Sequence, residues 1–168
     1  MHRAAALLAS AAVAAGVAGG ASGAVASRGA QSTWPSLSTA GPFLLADIQD
    51  KVDGHWRDAW RTLFPLHRAV APLRTYVRCE RETPFALPLH AVHVAAVRRT
   101  TVHVPGVAQP VAGVAVTVHV ELEWYGPRDP IVFAHTFHLV PVDGRWTWLL
   151  SPGRYRLYAS GGCGAPSM

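Results

Sequence analysis

Nine histidines, two cysteines and a single lysine, Lys51, are the chemically versatile residues of this 168-residue chain. Two of the histidines fall where proton transfer could use them. His135 has the strand parity of Phe133, Phe137 and Leu139, so it is expected to face a core. His55 lies between Val52 and Trp56 on an apolar helical stripe. Two imidazoles on one cavity wall can exchange protons near neutral pH. Trp56, Trp124, Tyr155 and Tyr158 are expected to line the same pocket. The pattern better suits two buried, hydrogen-bonded histidines, or His55 reaching solvent from the edge of the stripe. No Asp or Glu takes an inward strand position beside them: Glu121 and Glu123 point outward, and Asp129 and Asp143 sit in turns. The sequence therefore assigns no catalytic residue, with His135 and His55 as the alternative.

Metal chemistry is the next reading. His119-x-Glu121, with His93 and His103, could present ligands on the outer face of two strands, since residues i and i+2 point the same way. A ligand set must converge, and nothing in the sequence fixes the register between those strands. A solvated or dimer-facing polar sheet face is the reading adopted, so neither metal nor cofactor is expected. Arg57, Arg61, Arg68, Arg74, Arg78 and Arg81 share their interval with only Asp58 and Glu80. Such a stretch could steer an anionic partner such as a cell-envelope polymer, and otherwise reads as a solvated helix face. It lacks the aromatic interleaving and charge density of a nucleic-acid surface. Phosphate-binding glycine loops, nucleophile elbows and paired-carboxylate motifs are missing from the sequence.

The start of the chain gives an address. His2 and Arg3 precede an uncharged apolar run from Ala4 to Val17; small residues follow, and Ala24-Val25-Ala26 offers a cleavage site. Residues 1–26 are thus expected to be a secretory signal peptide, and the mature chain to be extracellular or bound to the cell envelope, with no membrane span once the leader is removed. Cys79 and Cys163 would then meet an oxidising compartment and bridge. Fourteen arginines against one lysine is the usage of a high-GC bacterial genome.

These groups need elements to hold them. Half of the residues are apolar and 15% are charged, which excludes a disordered chain, and the composition excludes collagen and coiled coil. Residues 27–41, rich in Ser, Gly, Ala, Thr and Pro, are expected to form a flexible tether before a single domain over 42–168. Leu45, Ile48, Val52, Trp56, Ala59 and Leu63 recur at helical spacing, predicting one helix of about five turns that stops before Pro65. Asp47, Gln49, Asp50, Asp53, Arg57 and Arg61 fall away from that stripe. A second helical segment covers Leu66 to Arg78, kinked or split at Pro72.

After Pro88 the period becomes two. Strands are predicted over 89–104, 113–125, 131–142 and 145–151. Val114, Val116, Val118, Val120, Leu122 and Trp124 form one face of the second. Asp143-Gly144 marks a two-residue hairpin turn, so that position i pairs with 287 − i. Phe137, Leu139 and Pro141 then share the core face with Trp146, Trp148 and Leu150, and Thr147 lies on the other. The outer face is expected to carry Val97, Thr117, His119, Thr136 and His138. Ser151-Pro152 starts a short helix that Gly161-Gly162 stops.

Helices, an antiparallel meander and a short last helix make an α+β fold: N-terminal helices packed on a curved sheet of four or more strands that forms a cone. The first helix (Asp47-Ile48 to Trp60), the alternating strand Val114–Trp124, and Gly144-Arg145-Trp146-Thr147-Trp148-Leu149-Leu150-Ser151-Pro152 with Tyr155, Tyr158 and Cys163 resemble the nuclear-transport-factor-two-like, or cystatin-like, superfamily. Ketosteroid isomerase and scytalone dehydratase belong to it, as do many secreted bacterial domains. The resemblance implies a cone-shaped cavity; its enzymes carry acid or base groups in the mouth, and this chain departs from them in having no inward strand acid.

Two functions follow. The first is a secreted, non-catalytic binding or interaction module, its cone filled by tryptophans or holding a small apolar ligand, its outer sheet face meeting another protein or a second copy in a homodimer. The second is a small cofactor-free isomerase, dehydratase or hydrolase that uses histidine acid–base chemistry. The missing pocket acids favour the module.

Overall fold

A computed structural model describes residues 34–82, 88–123 and 130–163. A 3-10 turn, Leu37–Thr39, leads into α1 (Ala40–Val52), α2 (Trp56–Thr62), α3 (Pro65–Val70) and α4 (Leu73–Glu82). The strands β1 (Leu89–Val102), β2 (Val111–Leu122), β3 (Ile131–Val142) and β4 (Arg145–Trp148) follow, then α5 (Pro152–Ala159). The strands form an antiparallel sheet in the order β1-β2-β3-β4, curled but not closed. The α+β architecture is the one expected.

The single long first helix is not found. The apolar period runs on through Trp56, but Gly54 adopts φ +74° and ends α1. There the Asp53 amide donates to the Gln49 carbonyl at 2.9 Å and the His55 amide to the Asp50 carbonyl at 2.7 Å. This is a glycine stop, in a backbone region that L-residues avoid. The α1 helix is also rotated from its expected stripe: Ala40, Gly41, Leu44 and Asp47 are buried, while Val52 is exposed. Order begins before Pro42 as well. Residues 34–41, expected within the tether, pack on the core through Trp34, Leu37 and Ala40. The second helical segment is split at Pro72 into α3 and α4, as anticipated, and the Trp60 indole donates to the Ala71 carbonyl at that break, at 2.8 Å.

The hairpin register follows the predicted rule, with Leu139 opposite Trp148 and Val142 opposite Arg145. Asp143 (φ 50°) and Gly144 (φ 73°) supply the left-handed turn that matches strand twist. The inner sheet face buries Val114, Val116, Val118, Leu139 and Trp146 against Ala40 and Leu44 of α1.

Two outer-face expectations are corrected. A bulge in β1 between Val94 and Ala96 shifts its parity, so Val97 packs inward beside Val92 and Val94 and leaves the outer face. Thr147 is buried, its hydroxyl donating to the Val140 carbonyl at 2.7 Å. The outer face is covered at this end by a third small core, in which Val102, Val104 and Val140 meet Phe64 and Leu149.

A second core between the helices joins Leu63, Ala71, Tyr76, Cys79, Leu150 and Tyr158. Cys79 and Cys163 are bonded, with sulfurs 2.05 Å apart, closing a separation of 84 residues. Cys163→Ser is expected to lower stability by ~2–4 kcal/mol and to release α5 first. Urea unfolding with hydrogen exchange would read both; an α5 as protected as in the parent chain would show that the bridge does not hold it.

Candidate functional site

Two cavities meet at His135. The first lies at the concave mouth of the sheet and has a volume of about 150 Å³. Ile48 and Val52 of α1 form one wall. Leu89 and Val92 of β1, Val120 and Leu122 of β2, and Phe133 and Phe137 of β3 form the rest. Strand alternation, reset in β1 by an irregularity between Leu89 and Ala91, puts these side chains on one face, and the curl of the sheet turns that face into a concavity. His135 is its one ionisable group among the described residues, held edge-on to Phe137 with ring centroids 4.6 Å apart.

The second is a cleft of mixed polar and apolar lining, about 370 Å³, beside β3. Because β4 pairs only with Leu139–Val142, residues 131–138 have no strand partner on that side among the described residues. His135, Thr136, Phe137 and His138 form one bank of the cleft, and Ser151, Pro152 and Arg154 another. His103 also lines it. Its buried end is Asp47, with Lys51 and Trp148.

Asp47 is 2% exposed. Burial raises its carboxyl above the usual carboxylate range, against the opposing pull of Lys51. One oxygen pairs with the Lys51 ammonium, and the other accepts from the Thr62 hydroxyl at 2.8 Å. Lys51 sits 3.3 Å from the centroid of the Trp148 ring, a cation–π contact that extends the cluster. Both carboxylate oxygens are thus engaged, which suits a structural ion pair. His138 is held below the usual histidine range by burial and by Arg98 and His135 nearby.

The residues expected in one pocket are dispersed. His55 sits at the α1–α2 junction with its side chain 60% exposed, 3.6 Å from an Asp50 oxygen, and lines neither cavity, because the Gly54 break carries it out of the helical stripe. Trp56 and Tyr155 pack on the helical core, which also buries Tyr158. The Tyr158 hydroxyl donates to Glu80 at 2.7 Å, and Arg154 pairs with the same carboxylate. Trp124 lies outside the described residues. On the outer face His93 stands directly opposite His119, but among the described residues no group of three or more His, Cys, Asp or Glu could hold a metal ion.

His67, which no sequence pattern singled out, is fully buried. Its Nδ1 accepts from the Leu150 amide at 3.0 Å, and its Nε2 donates to the Pro105 carbonyl at 3.0 Å. Those two bonds require the neutral ring, and burial lowers its pKa. The unfolded chain binds this proton more readily, so stability from His67 is complete above about pH 6.5 and is lost as pH falls through the ordinary histidine range. His67→Gln should flatten the acid limb of a stability-versus-pH curve measured in urea; an unchanged slope between pH 7 and 5 would contradict this.

No family model matches this chain, and no curated protein matches it.

Proposed function

We propose that this chain is an exported, non-catalytic binding module of nuclear-transport-factor-two-like shape that holds a small apolar molecule at the concave mouth of its sheet. The observation that carries this reading is the wall chemistry: eight apolar side chains and His135 around about 150 Å³. An apolar concavity of that size has room for a benzene-sized guest. His135 would orient a guest bearing one polar atom. Export agrees with the leader-like residues 1–26 and with the Cys79–Cys163 bridge, which suits an oxidising compartment. Acid–base catalysis is less well supported, because His55 lies away from His135 and Asp47 has both oxygens engaged.

The test is binding of benzene and phenol to the secreted chain, followed by ligand-observed NMR. Saturable binding that Val120→Trp abolishes while preserving the unfolding midpoint is expected. No binding of either, or binding untouched by Val120→Trp, would overturn the reading. Native mass spectrometry of protein from culture supernatant would show any guest retained from the cell, and N-terminal sequencing that recovers Met1 there would overturn leader removal.

A further inference from the structure

A groove of about 500 Å³ between α2 and α4 is lined by four arginines. Arg57 stands on α2, and Arg74, Arg78 and Arg81 stand on α4. Positions 74, 78 and 81 are four and three residues apart, so they share one helix face and extend over roughly 10 Å of it. Leu73 and Val77 supply half-buried apolar surface, and Glu82 is the one acid lining the groove among the described residues. All four arginines are exposed. Two neighbouring acids are engaged elsewhere: Asp58 pairs with Arg61, and Glu80 with Arg154 and Tyr158. None of the four has an ion-pair partner among the described residues.

Clustered like charges that outnumber their counter-charge repel one another, and a concave surface focuses their field on whatever enters it. A guanidinium presents a planar fork that matches two oxygens of a phosphate. Four such forks against one carboxylate leave an excess of three positive charges, more than a mono-anion compensates. The forks stand on two walls, so the geometry favours an anion that enters between them over a flat lipid surface. The arms are also anchored from behind, because α4 buries Tyr76 and Cys79 in the helical core and the disulfide ties it to the chain after α5. We infer that the α2–α4 groove binds a soluble anion carrying two or more phosphate groups. The inference is independent of the apolar mouth, which shares none of these residues.

The probe is tripolyphosphate, titrated calorimetrically into the disulfide-bonded secreted chain, with orthophosphate and phosphatidylglycerol vesicles as comparison arms. Tripolyphosphate is expected to bind saturably and at least tenfold more tightly than orthophosphate, and to weaken as salt is raised. Arg74→Gln with Arg78→Gln should weaken it at least tenfold, and Arg57→Gln, on the opposite wall, severalfold. Arg145→Gln, at the β3–β4 turn, should leave affinity unchanged, and matching thermal melts would confirm that each variant is folded. Equal affinities for tripolyphosphate and orthophosphate would overturn the proposal. So would an Arg145→Gln effect as large as that of Arg57→Gln, or vesicle binding that tripolyphosphate does not compete away.

Discussion

Trp146→Ala is expected to destabilise the protein by ~3–5 kcal/mol, as for large buried aromatics in cores. The indole is 5% exposed and packs in the main cluster with Ala40, Leu44, Val114, Val116 and Leu139. Trp34 meets it edge-on, ring centroids 6.0 Å apart. Its Nε1 donates to the Thr39 hydroxyl at 3.0 Å. One side chain therefore joins the hairpin, the middle of the sheet and the entry into α1. Truncation leaves a void bordered by strand backbone and α1, which cannot both move in. Trp146→Phe separates the contributions: it keeps most of the packing and loses the bond to Thr39, worth about 1 kcal/mol. Urea unfolding followed by circular dichroism would measure both. A cost below 1 kcal/mol for the alanine variant would mean that the indole is not the link between sheet and helix.

The placement of Trp146 was legible because every determinant is local. Asp143-Gly144 sets the turn, the turn sets the register, and period two sets the face. The burial of Val114, Val116 and Val118, the Ser151 cap of α5 and the cysteine pair follow from equally short patterns or from simple counting. What could not be read depends on a single residue overriding a pattern, or on partners far along the chain. The apolar period passes through Gly54 without interruption, so only its backbone angle shows where α1 ends and why His55 leaves the stripe. One bulge in β1 reverses Val97. His67 is a core residue because Pro105 and Leu150 supply its two bonds from 38 and 83 positions away. Asp47 and Lys51 are separated by four residues, the spacing of an ordinary solvent-facing helix pair. Their burial is decided by Thr62 and by the Trp148 ring, neither adjacent in sequence. The apolar mouth was anticipated as a cone, but its walls come from Ile48, Val92, Val120 and Phe133, whereas Trp56, Tyr155 and Tyr158 went to the helical core.

Lys51→Met should destabilise the protein by ~3–5 kcal/mol at pH 8, because it strands the buried Asp47 carboxylate without its counter-charge. Methionine keeps much of the aliphatic stem over Trp148, so lost packing is a minor part of the effect. The dependence on pH distinguishes the electrostatic origin. The Asp47 carboxyl is already raised by burial, and Lys51 is the largest influence holding it down. Removing Lys51 moves the folded-state value further up. Between the ordinary carboxyl range and that raised value the folded chain binds more protons than the unfolded one, so stability falls as pH rises through the window. The penalty of Lys51→Met should therefore be greatest on the alkaline side and shrink as the solution is acidified and Asp47 takes up a proton in the variant. Taking the difference between variant and parent at each pH cancels the opposite trend contributed by His67. Adding Asp47→Asn to Lys51→Met removes the stranded charge and should recover more than half of the loss at pH 8, since Thr62 can still donate to the amide oxygen. Urea unfolding of the three chains at pH 8 and pH 5 decides the matter. A penalty equal at both values, or no recovery in the double variant, would show that Lys51 acts through packing on Trp148 and not through Asp47.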